Sequence, residues 1–503
     1  MDRSNQGRNE GTNPAGVDFL TLDIATVAPG TRTDWLTQQL RNAISDGRLP
    51  LGTRLPATRV LATELGVSRG LVTEAYQRLA EDGCLSGRGR NGTVVVATPP
   101  TAPHSAPPEP EPERPPQHLF SRPTTSAVFE FLRAAPAHTD LTPGNCDLAA
   151  FPRTAWLRAE RAVLSDLNPH DLGYADPRGH PRLRRAVTHW LARTRGIRTT
   201  PEEILIVSGV AQSLSLIAQI LTRRGHTHIA VEDPGSLGAR QHLHHWQLHT
   251  PPVAVDAHGI QPEQLRAHGA TSVLLTPAHQ FPTGVVLSGP RRRQLLAWAA
   301  DGGLIVEDDY DAEHRYDRPP VPALHAALPH RVCYTGSVSK LLAPALRLGW
   351  LIAPPCYQAE LVEAKRCSDL GSATLPQLTL ARFLESGEME RQLRLLRRRH
   401  RRRRDAMLSA VRQHLPDAHI HGAAAGLHLT LTLTEDHIAE HGSDVDLATA
   451  ALQHGVKVQP LSWHRQRPGP PGLVLGYAAA GTSAITEGLA VVGGLLSHPG
   501  RPR

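Results

Sequence analysis

The stretch YTGSVSKLLAPALRLGW, Tyr334 to Trp350, sets one lysine, Lys340, among small hydroxyl residues, with Arg347 seven positions on. A lysine in this setting is suited to hold an aldehyde cofactor as a Schiff base, provided neighbours grip a phosphate and tune a ring. Ser337 stands near enough in sequence to meet the phosphate, and the planar guanidinium of Arg347 suits a phosphate dianion. Three upstream stretches complete the set. IVSGVAQSLSL runs from a strand through Ser208 and Gly209 into a helix, which leaves the amides of Val210 and Ala211 to bind a phosphate. VLLTPAHQFPTG ends a strand in a polar turn. LIVEDDYDAEHRY ends a buried strand in carboxylates, where Asp308 is placed to keep a pyridinium nitrogen protonated and Tyr310 to bond a phenolate oxygen. Each piece alone has an ordinary explanation as a strand end or surface charge; their conjunction is the signal.

Around these motifs, apolar β-rich runs (EILIVSG, HIAVEDPG, SVLLTPAH, GLIVEDDY) alternate with helical patterns such as QSLSLIAQILTRRG. The alternation predicts an α/β domain on a parallel sheet, large lobe to about residue 352. From about 353 to 503 the pattern predicts one long helix into an Arg-rich run, then mixed strands, as a smaller α+β lobe.

Farther upstream the chain changes character. TPPTAPHSAPPEPEPERPPQ, Thr98 to Gln117, reads as an extended linker over about 98–118, before a domain spanning 119–503. Residues 31–97 form a small separate unit, and 1–30 a polar tail expected to be disordered. DWLTQQLRNAISDG carries a helical stripe (Trp35, Leu36, Leu40, Ala43, Ile44) closed by Gly47. RVLATELG, the turn GVS, and RGLVTEAYQRLAEDG then make helix, tight turn, helix, with Ser68 as N-cap and Leu71, Val72, Ala75 and Leu79 inward. This arrangement points Ser68, Arg69, Gly70 and Thr73 toward a DNA major groove. The following CLSGRGRNGTVVV predicts a hairpin wing bearing Arg88 and Arg90. Without the wing's basic turn, the same helices would serve equally as a protein-docking module.

The totals fit a multidomain soluble protein. The chain has 503 residues, a net charge of +7, and five cysteines without CxxC spacing. These features, with no apolar leader or membrane-length segment, predict a cytoplasmic protein with no membrane partner. The HLHHW histidines lack acidic or cysteine partners at ligand spacing, and no metal is expected. The Arg391–Met407 run reads as a helix with a charged outer face rather than a DNA arm.

GTRLPATRVLATELGVSRGLVTEAYQRLAEDGCL resembles the GntR-type winged helix-turn-helix of bacterial transcription regulators. The resemblance implies double-stranded operator DNA as partner and DNA approach by Arg59, Ser68, Arg69, Thr73 and Gly92. From about Thr139 onward the chain is similar to fold-type I aminotransferases that use pyridoxal 5′-phosphate (PLP), through LGYADPRGHPRLRRAV, SGVAQS, EDPGS, HQFPTG, EDDYD and SVSKLLAPALRLGW. That likeness implies a homodimer in which Tyr174 reaches the phosphate of the partner subunit's cofactor. Together the two halves resemble the MocR-type regulators. The resemblance implies a head-to-tail dimer whose aminotransferase-like domain senses PLP or an amine effector.

Three positions depart from the enzyme pattern. Phe281 stands where asparagine usually bonds the ring oxygen, leaving His279 as the candidate replacement. Ser236 stands where an aromatic residue stacks on the ring, and Val474 aligns with the arginine that binds a substrate carboxylate. Efficient transamination is therefore not expected, although the intact Lys340, Asp308, Tyr310 and Arg347 keep an active aminotransferase as the alternative.

Overall fold

The structure, a computed structural model, describes residues 24, 27–87, 92–97, 128–316, 321–434 and 442–497. They divide into two units, Met1–Glu113 and Arg114–Arg503. Arg88, Arg90, most of the expected tail and the Pro-rich linker lie outside the described residues.

In the first unit, helices α1 (Arg32–Ser45), α2 (Thr58–Glu64) and α3 (Arg69–Glu81) close on a core that includes Leu36, Leu40, Ile44, Leu61, Val72 and Leu79. The stripe expected in α1 is the buried one, with Trp35 only half-buried. Tyr76 joins the inward face of α3, its hydroxyl donating to the Pro56 carbonyl at 3.0 Å. Ser68 caps α3, its Oγ accepting from the Leu71 amide at 3.3 Å. Strands β1 (Arg54–Leu55), β2 (Leu85–Gly87) and β3 (Thr93–Val95) form an antiparallel sheet in the order β1-β3-β2. Two-residue β1 has no alternation to betray it in the sequence.

The second unit is built on eight strands: β5 (Ile204–Val207), β6 (Ala230–Asp233), β7 (Pro252–Asp256), β8 (Gly259–Ile260), β9 (Ser272–Leu275), β10 (Leu304–Asp309), β11 (Val332–Ser337) and β12 (Gly349–Ile352). Their order is β5-β12-β11-β10-β9-β6-β7-β8. The expected parallel pairing holds for β11-β10-β9-β6-β7, whereas β12 runs antiparallel to both its neighbours and β8 antiparallel to β7. The reason is connection length. No crossover helix separates β11 from β12, so the chain must return in the opposite direction.

Alternate residues of β5 enter different cores. Leu205 and Val207 pack with α7 (Val210–Arg223) and α11 (Pro355–Asp369); Ile204 and Ile206 pack with α6 (Pro181–Arg195) and α12 (Thr374–Glu385). Helix α5 (Arg153–Asp166) packs on α12, while α8 (Leu237–His245), α9 (Pro262–Ala267) and α10 (Gly289–Ala300) follow successive strands.

A smaller lobe holds the antiparallel sheet β13 (His419–His421), β14 (His428–Thr432), β17 (Gly472–Gly476), β16 (Gln459–Pro460). Its core also takes in α4 (Val128–Ala134) through Val128 and Leu132. β4 (Thr139–Asp140) pairs with β15 (Val456–Lys457). Helices α13 (Glu388–His414), α14 (Asp444–Gln453) and α15 (Thr482–Ser497) cover this lobe. The single long helix expected from 353 is instead α11, α12 and α13. It breaks at Leu370 and at Gly387, both in the left-handed region at φ 58° and 73°.

One ion pair ties the sheet to its flanking helix. Arg195 at the end of α6 is 1% exposed and meets Asp309 of β10 at 2.5 Å, while the Tyr334 hydroxyl donates to the same carboxylate at 2.6 Å. Arg195→Met strands a buried carboxylate, and the expected cost is about 3–5 kcal/mol. Urea unfolding followed by tryptophan fluorescence reads the loss, and adding Asp309→Asn recovers part of it.

Candidate functional site

Strands β10 and β11 are parallel and end side by side, with Asp308 opposite Thr335 and Asp309 opposite Gly336. The carboxylates of EDDYD therefore emerge beside the turn that follows β11 and carries Lys340. Lys340 Nζ donates to the carbonyl of Gly144, a residue in the left-handed region at φ 89°. Burial lowers the Lys340 pKa, and the carboxylates of Asp311 and Asp308 oppose that shift.

The expected phosphate ligands come together next to it. Gly209, at φ 92°, caps α7, and a Cβ there would lie 3.5 Å from Nη1 of Arg347. Arg347 itself takes φ 50°, which turns its guanidinium over the start of α7. A Cβ on Gly349 would lie 3.1 Å from the Cα of Gly209 and 3.2 Å from the Cβ of Ser337, so β12, α7 and Ser337 meet at one point. Among the described residues no group accepts from the amides of Val210 and Ala211. Those two donors, Ser337 and Arg347 form a cup for a dianion.

Asp308 lines the opposite side. Its Oδ1 is buried without a hydrogen-bond partner. Burial, together with Asp309 and Asp311, pushes its pKa up to about 7, against the pull of Lys340. The Tyr310 hydroxyl donates to the His279 carbonyl at 3.0 Å and lies 3.0 Å from His279 Nδ1. His279 is thus drawn behind Tyr310, its Nδ1 also 2.9 Å from Asp311, and its link to the chamber runs through the Tyr310 hydroxyl. His279, Asp311 and His428 each bring one donor atom within 4.8 Å of the others. In the structure those atoms serve hydrogen bonds, His428 Nε2 lying 3.1 Å from the Pro282 carbonyl.

In the first unit, Ser68, Arg69, Gly70 and Thr73 lie exposed at the start of α3, and Arg59 lies exposed on α2. Among the described residues neither Arg59 nor Arg69 enters an ion pair, whereas Arg78 is held by Asp34 and Glu74. Gly92 takes φ 79° in the wing, and a Cβ there would come within 2.9 Å of Arg54 Nε.

Comparisons with known proteins agree with both halves. Residues 33–95 match the model of bacterial regulatory proteins of the gntR family, and residues 138–483 match that of aminotransferases class I and II. Over 94% of this chain and 94% of its own length, the probable rhizopine catabolism regulatory protein MocR of Rhizobium meliloti is 32% identical. The chain belongs to the MocR-type family of transcriptional regulators. The pyridoxine biosynthesis transcriptional regulator PdxR of Corynebacterium glutamicum is 31% identical over 92% of this chain and 95% of its own. Among solved structures, the α-aminoadipate aminotransferase LysN of Thermus thermophilus, complexed with N-(5′-phosphopyridoxyl)-L-leucine, superposes with a TM-score of 0.66. It is 26% identical, covering 75% of this chain and 96% of its own.

Within this MocR-type chain the three departures have definite surroundings. Phe281 packs edge-on to His464 at 4.9 Å between ring centroids and to Tyr310 at 6.3 Å. Ser236 caps α8, its Oγ accepting from the Ala239 amide at 3.2 Å. A small cavity opens beside it, lined by Glu232, Thr276, Phe281 and Asp308 among others. Val474 is 0% exposed in β17. Tyr174 is 96% exposed on the loop before α6.

Sequence reading missed Gly144, Glu232, His428 and His464. The Pro-Gly turn in LTPGNCD was a usable signal for Gly144; the two histidines, on β14 and just after β16, reach the chamber only through folding. Glu232 accepts from the Thr276 amide and hydroxyl at 2.9 Å each, and burial raises its pKa from 4.5 to about 7. The folded chain keeps this proton where the unfolded chain has lost it, so stability falls as pH rises from about 4.5 to about 7. Glu232→Gln keeps the acceptor and removes the titration. The decline over that window should shrink by about 3 kcal/mol in urea unfolding of the cofactor-free protein.

Proposed function

We propose that this protein is a PLP-binding transcription regulator whose aminotransferase-like domain senses PLP or an amine and adjusts the grip of its winged helix on operator DNA. The observation that carries this reading is the partnerless buried Oδ1 of Asp308, within reach of the charge of the Lys340 amine. A buried carboxylate oxygen without a donor is costly, and a protonated ring nitrogen satisfies it. The residues present therefore fit PLP: Ser337, Arg347 and the amides of Val210 and Ala211 for the phosphate, Asp308 for the ring nitrogen, and Tyr310 for the ring oxygen, with His279 behind it.

When bound, PLP supplies an aldehyde carbon that amines attack. The lowered pKa of Lys340 keeps more of its amine unprotonated and ready for that carbon. Asp308, with a pKa of about 7 before any ligand arrives, gains a donor and with it a reason to ionise. Tyr310 keeps its proton, since burial and Asp311 hold its pKa well above the usual value, and it donates to a ring oxygen by turning that proton away from the His279 carbonyl.

On the DNA side, Ser68, Arg69, Gly70 and Thr73 enter the major groove while Arg59 and the wing, with Gly92, Arg88 and Arg90, hold the backbone. The working form is a cytoplasmic homodimer, head to tail, in which Tyr174 completes the phosphate site of the other subunit. Its near-complete exposure in a single chain supports that arrangement.

Two measurements test the reading. A visible absorbance band on adding PLP is expected for the wild type and not for Lys340→Ala; binding to the chain's own upstream DNA at fixed salt should respond to PLP in the wild type alone. DNA binding blind to PLP and to amines in both proteins overturns the sensor role. Arg59→Ala should weaken DNA binding and lower the slope of log affinity against log salt by about one, the signature of one lost phosphate contact.

A further inference from the structure

Among the described residues, the row of small-lobe strand residues that faces the lysine chamber, His428, Thr430, Val474 and Gln459, holds no lysine or arginine. From it we infer that the amine sensed here has no carboxylate beside its nitrogen and presents an aromatic or otherwise uncharged body. This inference rests on the reading of Lys340 as the cofactor lysine and narrows the effector to a class.

The argument starts from strand register. Directly opposed residues of an antiparallel pair share a face, as do residues two apart on one strand. His428 and Thr430 of β14 share a face that looks at the loop carrying Phe281, because His428 Nε2 and Thr430 Oγ1 meet the Pro282 carbonyl at 3.1 and 2.5 Å. Val474 lies opposite Thr430 on one side and Gln459 on the other. The row His428, Thr430, Val474, Gln459 therefore faces the site.

That row has little to offer an anion. Thr430 is spent on Pro282, and Gln459 Oε1 lies 3.2 Å from His464 Nε2. Val474 offers methyl groups. Burial drives the pKa of His428 well below its usual value and that of His464 to about 3, so both rings are neutral. Arg240, whose charge acts on His464, donates through Nη2 to the Trp463 carbonyl at 2.7 Å, and neither it nor Arg465 lines the cavity that Phe281 and Asp308 share. Arg347 stands at the phosphate cup, away from this wall.

What the wall does present is ring surface. Phe281 lies 5.0 Å from His428 and 4.9 Å from His464 between centroids, and it lines the same cavity as Asp308. The charge of Lys340 acts on His428, which places these rings within reach of whatever the lysine meets. A carboxylate brought here loses its water and gains no cation. A flat, apolar amine loses nothing comparable and gains ring contacts.

The test uses the full chain reconstituted with PLP and matched pairs that differ only in the carboxylate: phenethylamine against phenylalanine, and tyramine against tyrosine. The visible band is followed during titration. Each amine is expected to half-saturate the change at a concentration at least about tenfold below its amino acid, the cost of one unmet charged hydrogen bond. Amino acids that act at equal or lower concentration overturn the inference. A band that neither member of a pair disturbs also overturns it, yet leaves the cofactor reading standing. Failure to form any band that Lys340→Ala abolishes sinks the cofactor reading and the inference together. Val474→Arg supplies the absent cation and is expected to erase the preference, whereas Val474→Leu keeps it. A folded Val474→Arg protein that still prefers the amine tenfold counts against the inference.

Discussion

The second unit depends on how β10 disposes of its carboxylates. Glu307, Asp308, Asp309, Asp311 and Glu313 fall within seven residues and enter the interior together, where Asp309 raises the cost of ionising Glu307, Asp308 and Glu313, and Asp311 that of ionising Asp308 and Glu313. Strand geometry separates them, since successive side chains leave opposite faces. Glu307 and Asp309 go to the α6 side. There Glu307 accepts from the amides of Leu324 and His325 at 2.9 and 3.0 Å, and Asp309 takes Arg195 and Tyr334. Asp308 goes the other way, into the chamber. There Asp308 keeps an oxygen no described protein group satisfies, as Asp309 does on its own side. The structural ion pair and the vacant acceptor are two outcomes of one alternation.

Much of this was legible in sequence because motifs at strand ends are local. A strand, a glycine or carboxylate at its end, and a following helix or turn occupy a dozen residues, and SGVAQS, EDDYD and SVSK each declared their chemistry that way. The winged helix was legible for the same reason, its cap and turn lying within a few residues of Ser68. What sequence did not carry was pairing at a distance. The pairing of β12 with β5 and that of β4 with β15 depend on which distant segments meet. His428 and His464 reach Phe281 only because β14 and the segment after β16 fold over the HQFPTG loop. The division of the expected long helix at Leu370 and Gly387 falls at one non-glycine left-handed residue and one glycine, and Leu370 gives no warning of it.

The Arg-rich helix shows why charge density is a poor guide by itself. The outer face expected of α13 holds, but several of its arginines turn inward and act as connectors. Arg397 donates to the Glu313 carbonyl at 2.9 Å, Arg401 to that of Tyr316 at 2.7 Å, and Arg399 and Arg403 both grip the buried Asp147 carboxylate. Asp147 lies three residues from Gly144, so these contacts brace the loop on which the Lys340 amine rests. Among the described residues of the other unit, Arg59 and Arg69, with far less charge around them, are left open, as is Arg54.

A catalyst of amino-group transfer needs two grips, one on the cofactor and one on the substrate, and only interactions that strengthen toward the transition state raise its rate. Here the groups suited to the cofactor's phosphate and ring nitrogen are present, while the second grip is replaced by a buried valine and neutral rings. A ligand held through the cofactor and an apolar wall is bound about equally well in its ground and activated states. Such binding contributes to occupancy rather than to turnover, and occupancy is the quantity a regulator has to read. The same substitutions that weaken the case for an enzyme therefore give the chamber the properties a sensor requires.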